Sequence, residues 1–91
     1  MAGEMKVGEQ VATFCTTIEA IMSSSHFALG VADRRAAGRG YRSAYATWDG
    51  NSQWNYERGR AWAVLAPRSV ELRHNGKLSP EAIRWFHKDI L

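Results

Sequence analysis

The sequence predicts an all-α fold, a small single domain of three or four short helices with room for one short extended arm or hairpin. Apolar residues recur at helical spacing near the N-terminus, and glycine, serine and proline stand where helices would begin or end. Only one short segment shows the alternation of polar and apolar residues that is typical of a strand. A chain of 91 residues can build one core, so we treat residues 1-91 as one domain.

The first predicted helix is amphipathic and covers residues 6-23. Its apolar stripe, at steps of three and four, is Val7, Val11, Phe14, Ile18 and Ile21. Serines at 23, 24 and 25 interrupt the helix and supply an N-cap for the next one. The stripe needs a partner, which a helix hairpin or a homodimer through this N-terminal helix would provide.

A second helix is predicted from Ser25 to Ala37, with Gly38 as its stop signal. Gly30 lies in the middle, where glycine costs about 1 kcal/mol relative to alanine. We therefore expect close approach of another backbone or of a bulky ring such as Trp54 or Trp62.

Residues 38-52 form the predicted connection, with a strong turn from Asp49 to Ser52. A β-hairpin closed by Asp49-Gly50 is the competing interpretation. Residues after Asn51 return to helical spacing, which favours a third helix capped by Asn51 or Ser52 and ending at about Ala66. One side of that helix carries Trp54, Arg58, Ala61, Trp62 and Leu65. Gly59 within it predicts tight helix packing, with contact to a ligand backbone as the alternative.

The C-terminal extension covers residues 67-91. Alternation from Ser69 to Arg73 predicts a short strand or extended arm before a tight turn at Asn75-Gly76. Ser79 as N-cap and Pro80 in the first turn then open a last helix. That helix would close over the core through Ile83, Phe86 and Ile90.

Arginines and aromatic rings are concentrated between Asp33 and Trp62. This stretch holds six arginines, six of the ten aromatic residues and no lysine, and its local charge of +3 equals that of the whole chain. Guanidinium groups fork onto phosphates or stack on rings, so we predict an outward recognition surface. The alternative is an aromatic core covered by arginine stems. The candidate nucleic-acid or partner-binding residues are Arg34, Arg35, Arg39, Tyr41, Arg42, Tyr45, Trp48, Tyr56, Arg58 and Arg60.

Within this set the arginines would contact phosphates and the rings would stack on bases. The candidate stacking residues are Tyr41, Tyr45, Trp48 and Tyr56. Because they adjoin the turn-rich connection, we expect them to be less buried than Trp54 and Trp62. The same residue types are enriched in protein interfaces, so a protein partner stays open.

Enzymatic activity is not predicted. The chain has no nucleophile motif and no phosphate-binding glycine loop, and Cys15 near the apolar stripe suits a buried thiol. One cysteine excludes an internal disulfide, and His26, His74 and His87 lack metal-ligand spacing, so no metal or cofactor is expected. Neither a secretory signal nor a membrane span is evident, which predicts a cytoplasmic protein.

Two segments resemble the ribosome modulation factor family, in its mobile-element (phage and plasmid) branch. They are Phe27-x-x-Gly30-x-x-Asp33-Arg34-Arg35-Ala36 and Gln53-Trp54-Asn55-Tyr56-Glu57-Arg58-Gly59-Arg60. The resemblance implies a two-helix core over residues 25-66 and ribosome binding. It also implies packing roles for Phe27, Gly30, Trp54 and Gly59, and ribosomal RNA contacts for Arg34, Arg35, Arg58 and Arg60. The N-terminal helix and the C-terminal extension depart from the family's pattern.

The predicted function is non-enzymatic binding of RNA or a ribonucleoprotein, such as the ribosome. The alternative is a phage-encoded inhibitor that binds a host protein complex, for example a CRISPR effector. Small size and mixed charge suit both functions. They differ in salt response, because phosphate contacts weaken as salt rises and an apolar protein interface hardly changes.

Overall fold

The computed structural model describes residues 17–36 and 40–86. It confirms a mostly helical small fold with one short hairpin. The helices are α1 (Ile18–Ser23), α2 (Ser25–Arg35), α3 (Gly50–Leu65) and α4 (Pro80–Arg84), with a 3-10 turn at Ser43–Thr47 and strands β1 (Arg73–His74) and β2 (Lys77–Leu78). None of the helices in these two ranges is long and apolar enough to cross a membrane.

Helix α1 covers only the last six residues of the predicted N-terminal helix. Thr17 has extended backbone, with φ of −112 and ψ of 155 degrees, so the helix begins at Ile18 and does not pass through residue 17 as predicted. Residues 6-16 lie outside the described residues. The Thr17 side chain caps α1 by accepting a hydrogen bond from the Ala20 backbone N–H at 3.1 Å. Ser24 then caps α2 in the same way, accepting from His26 N–H at 3.1 Å. The predicted serine cap is therefore correct.

Two glycines set the crossing of α2 and α3. A Cβ on Gly30 would clash with the Tyr56 carbonyl group and lie 3.0 Å from the Arg60 backbone nitrogen. A Cβ on Gly59 would clash with the Phe27 carbonyl group and lie 3.1 Å from the Phe27 Cα. The predicted close approach is correct, but it is made by backbone rather than by a tryptophan ring.

Helix α3 begins earlier than predicted, at Gly50, because Asp49 and not Asn51 or Ser52 is its N-cap. The Asp49 carboxylate accepts from the Ser52 backbone N–H at 2.8 Å. This cap directs the chain into a helix, so the alternative hairpin at Asp49-Gly50 is wrong. The helix ends at Leu65, two residues before Pro67, as we predicted from the position of the proline.

The face of α3 that meets α2 differs from the predicted side. Its buried residues are Asn55, Tyr56, Gly59 and Trp62. Leu65, which the sequence pattern grouped with Trp62 on one side, is 44% exposed. The difference arises because the glycine contact rotates Gly59 toward α2, and the helical period then carries Leu65 outward.

The apolar core lies between α2, α3 and the C-terminal segment. Phe27 and Trp62 are both fully buried, with ring centroids 6.3 Å apart, and the Phe86 ring stacks on Phe27 at the same centroid distance. The Trp62 indole N–H donates to the Ala82 carbonyl oxygen at 2.9 Å. This bond ties α4 to α3.

The predicted arm after Pro67 forms a hairpin a few residues later than its alternating pattern suggested. Arg73 pairs with Leu78, and Asn75 and Gly76 turn the chain with φ of 53 and 78 degrees. Positive φ at both central residues is what an Asn-Gly hairpin turn requires. Ser79 caps α4 as predicted. The helix ends at Arg84 with Trp85 as its C-cap, so the predicted continuation through Phe86 is wrong, and Ile90 lies outside the described residues.

Candidate nucleic-acid interface

Four of the predicted site residues form one aromatic cluster, composed of Tyr41, Tyr45, Trp48 and Tyr56. Tyr41 lies 5.0 Å from Tyr45 and 5.5 Å from Tyr56, centroid to centroid, and both pairs are T-shaped. Trp48 lies 5.1 Å from Tyr56. The cluster forms where residues 40–48 fold back onto α3.

A buried polar network lies beneath this cluster. The Tyr56 hydroxyl donates to Asp33 Oδ2 at 2.6 Å and accepts from the Arg42 backbone N–H at 3.2 Å. The Arg42 guanidinium donates to both Asp33 carboxylate oxygens, at 2.8 and 2.9 Å. Asp33 is only 1% exposed. The network therefore links α2, the connection and α3 at one point.

The network also changes proton affinities. The hydrogen bond with Asp33 raises the pKa of Arg42, and burial followed by the Asp33 bond raises the pKa of Tyr56. The charge of Arg42 is balanced by Asp33 at short range, which reduces the attraction of the Arg42 guanidinium for an anionic ligand.

A second bond holds the 3-10 turn on α3. The Tyr45 hydroxyl donates to Glu57 Oε2, and this bond, with a smaller effect of burial, raises the pKa of Tyr45 to about 12. The Gln53 side-chain amide donates to the Tyr45 carbonyl oxygen at 2.9 Å. Tyr45 is therefore anchored at both its hydroxyl and its backbone.

Tyr41 is the exposed member of the cluster, with 53% of its surface open to solvent. The Arg60 guanidinium carbon lies over the Tyr41 ring, 4.6 Å from its centroid. Arg60 Nη1 also donates to the Gly40 carbonyl oxygen at 3.3 Å and to the Tyr56 hydroxyl at 3.4 Å. Tyr41 and Arg60 thus form a stacked pair at the surface.

The other rings depart from the predicted exposure. Tyr56 is 0% exposed, so its assignment as a surface stacking residue is wrong, and Tyr45 and Trp48 are half-buried. Trp62 is buried as expected, whereas Trp54 is half-buried and less enclosed than Tyr56. The glycine crossing is the cause, because it brings the α3 backbone at Tyr56 directly against α2.

The arginines have different surroundings. Arg34 is exposed in the last turn of α2. Arg58 packs over the Trp54 ring at 5.4 Å, and its Nη2 lies 3.7 Å from Glu57. Arg39 lies outside the described residues. The described arginines therefore do not form a uniform guanidinium surface.

Arg35 stabilises the fold. Its Nη1 donates to the Val70 carbonyl oxygen and its Nη2 to the Pro67 carbonyl oxygen, both at 3.0 Å. The guanidinium lies over the Trp62 ring at 5.1 Å. Burial, and then the neighbouring Arg68, lowers the pKa of Arg35. These contacts hold the chain after α3, so we leave Arg35 out of the interface.

Two residues that sequence reasoning did not select also shape this site. Asp33 was not among the candidate binding residues, although it lies one turn after Gly30 on the side of α2 that meets α3. His26 was considered only as a metal ligand, and its ring meets Trp48 edge-on at 4.6 Å. Spacing from Gly30 would have identified Asp33, while nothing local to the sequence indicates the His26 contact.

The arrangement suits binding through stacking and charge. Across residues 17–36 and 40–86, no group of three or more histidine, cysteine or acidic side chains is placed to hold a metal ion. Comparison with protein-family models, curated proteins and solved structures finds no significant match to this chain.

Proposed function

We propose that this protein binds RNA, alone or within a ribonucleoprotein, without catalysing a reaction. The proposed contact surface, the Tyr41 face, consists of Tyr41, Arg42 and Arg60. The observation that carries the proposal is the exposed Tyr41 ring with the Arg60 guanidinium stacked on it.

The charge of Arg60 is open to a ligand. Its hydrogen bonds go to a neutral carbonyl and a neutral hydroxyl, and no carboxylate in the described ranges lies within ion-pair distance of it. A guanidinium of this kind can bind a phosphate while its neighbouring ring contacts a base. Arg42, with 37% of its side chain exposed, adds a second guanidinium beside Tyr41.

The exposed Arg34 gives a third cation near the end of α2. The described residues from 33 to 62 include five arginines and three carboxylates. The local charge is therefore positive, which favours an anionic partner. The resemblance of these segments to the ribosome modulation factor family supports ribosomal RNA as the natural target. In that resemblance Gly30 and Gly59 are packing positions, which fits the observed crossing.

Fluorescence anisotropy with labelled RNA oligonucleotides tests the proposal. If Arg60 and the exposed Arg34 neutralise two phosphates, affinity should fall by about 7-fold between 50 and 200 mM salt. Arg60→Ala should weaken binding and flatten this salt dependence. Arg84→Ala is the matched control, because it removes an exposed arginine from α4. Absence of RNA binding, or equal effects of the two variants, would overturn the proposal.

An inhibitor that binds a host protein complex is the second candidate. It is favoured by Val64 and Leu65, which are 60% and 44% exposed at the end of α3. Adjacent exposed apolar side chains are typical of protein contact surfaces. This candidate predicts nuclease-resistant capture of one host complex by the tagged protein, and loss of that capture in Val64→Glu. Capture that disappears on nuclease treatment would favour the RNA function instead.

A further inference from the structure

We infer that Tyr41 is a stacking platform for one unpaired RNA base, so that the protein prefers single-stranded RNA, loops or bulges to duplex. This inference rests on the proposed function and names the structural class of RNA that the same surface would bind.

The Tyr41 ring keeps much of its surface open although three side chains contact it. Arg60 lies over the ring at 4.6 Å, and the rings of Tyr45 and Tyr56 meet it at 75 and 72 degrees. Neither tyrosine is parallel to Tyr41, so neither one stacks on it. Since Tyr41 is still 53% exposed, a base stacks on the part of the ring that these neighbours leave open.

The platform is held in place before any ligand arrives. Arg42, the next residue, is bound through its backbone to the Tyr56 hydroxyl and through its side chain to Asp33. The preceding carbonyl, that of Gly40, accepts from Arg60. Both neighbours of Tyr41 are therefore fixed to the helices, and stacking on its ring requires little further ordering.

The contact is limited to about one base because the other rings of the cluster are occupied. Tyr56 is fully buried, and Tyr45 is half-buried and bonded to Glu57. Trp48 is half-buried between Tyr56 and His26. A long run of stacked bases would need several exposed rings, whereas this surface offers Tyr41.

The base must be unpaired because in a duplex both of its faces are already stacked on neighbouring bases. Sequence-tolerant recognition of RNA by aromatic rings is therefore directed at single strands, loops and bulges. Arg60, which lies over the platform, would contact the phosphate of the same nucleotide or of its neighbour.

The test compares one labelled 12-nucleotide RNA with the duplex that it forms with its complement, both at 50 mM salt. The wild-type protein should bind the single strand at least tenfold more tightly. Tyr41→Ala should weaken single-strand binding by about 5- to 150-fold, the range for one lost base stack. Tyr41→Phe keeps the ring and should restore most of that affinity.

Two further variants separate stacking from folding. Tyr41→Leu keeps apolar bulk against Tyr45 and Tyr56 but has no planar ring, so it should lose affinity as Tyr41→Ala does while melting near the wild-type temperature. His74→Ala removes an exposed ring from the hairpin and should leave binding unchanged.

The outcomes distinguish this inference from the proposed function. RNA binding that depends on Arg60 but is unchanged in Tyr41→Ala would show that Tyr41 is not a stacking platform, and the proposed RNA function would stand. Equal affinity for duplex and single strand would lead to the same conclusion. If the wild-type protein binds neither RNA, both are wrong.

Discussion

Gly30 in α2 and Gly59 in α3 occupy reciprocal positions, each lying against a backbone carbonyl of the opposite helix. Gly30 faces the Tyr56 carbonyl, and Gly59 faces the Phe27 carbonyl. The absence of a side chain at both points sets the distance between the helices. Everything on the Tyr41 face depends on this distance, because Tyr56 and Asp33 meet only where α2 and α3 are this close.

Substituting either glycine should destabilise the protein. In Gly59→Ala the new methyl group would clash with backbone, which cannot move aside as a flexible side chain can, so we expect a loss of about 3 kcal/mol in the free energy of unfolding. Gly40→Ala is the control, because a Cβ there meets nothing within 4 Å. Its effect should stay within about 0.5 kcal/mol. Urea unfolding of both variants provides the measurement, and equal stability would contradict the proposed role of the crossing.

Removal of the buried hydroxyl tests the polar network. Tyr56→Phe deletes the bonds to Asp33 and to the Arg42 backbone, which should lower the free energy of unfolding by about 1 to 3 kcal/mol. It should also speed hydrogen exchange at Arg42 relative to the α4 amides. An exchange pattern identical to that of the wild type would show that the network does not hold the connection.

The Tyr45 bond predicts a pH dependence at alkaline pH. Its pKa is raised from 10.0 in an ordinary tyrosine to about 12, so the folded state holds this proton more tightly than the unfolded state does. The stabilising contribution is complete below pH 10, falls as pH rises from 10 to 12, and is lost above that range. Absorbance titration should show late-titrating tyrosine absorbance from Tyr45 and Tyr56, and Tyr45→Phe should remove part of it. A late part that is absent from the wild type, or that is unchanged in Tyr45→Phe, would contradict the bond to Glu57.

The two tryptophans of α3 should differ in their effect on stability. Trp62→Ala empties the centre of the core and removes the indole hydrogen bond to the Ala82 carbonyl oxygen, so it should cost about 3 to 5 kcal/mol or abolish folding. Trp54→Ala, at a half-buried position under Arg58, should cost clearly less. Chemical unfolding, monitored by circular dichroism, gives the comparison. A larger loss of unfolding free energy for Trp54→Ala than for Trp62→Ala would show that Trp62 is not the centre of the core.

Local sequence signals correctly predicted the starts of α2 and α4 and the end of α3. The capping serines, Pro67 and Pro80 act on their immediate neighbours, so their effects can be predicted without the tertiary structure. The two glycines also predicted close packing correctly. The start of α3 was missed because Asp49 was interpreted as part of a turn, although the same side chain serves equally as a helix cap.

The surroundings of the candidate site could not be predicted in this way. Arg35, Arg42 and Arg60 look alike in the sequence, yet the first holds backbone carbonyls, the second pairs with Asp33 and the third stacks on Tyr41. These differences depend on which segments α2 and α3 bring together, and therefore on tertiary contacts. Composition predicted a surface rich in arginine and aromatic residues, and the structure reduces its exposed aromatic part to Tyr41.

Amide chemical-shift mapping during titration with single-stranded RNA tests the central claim most directly. The account predicts the largest shifts at Tyr41, Arg42 and the amides around Arg60, with little change in the hairpin from Arg73 to Leu78. Shifts concentrated at Val64 and Leu65 or at the hairpin, or no shifts at all, would contradict RNA binding at the Tyr41 face.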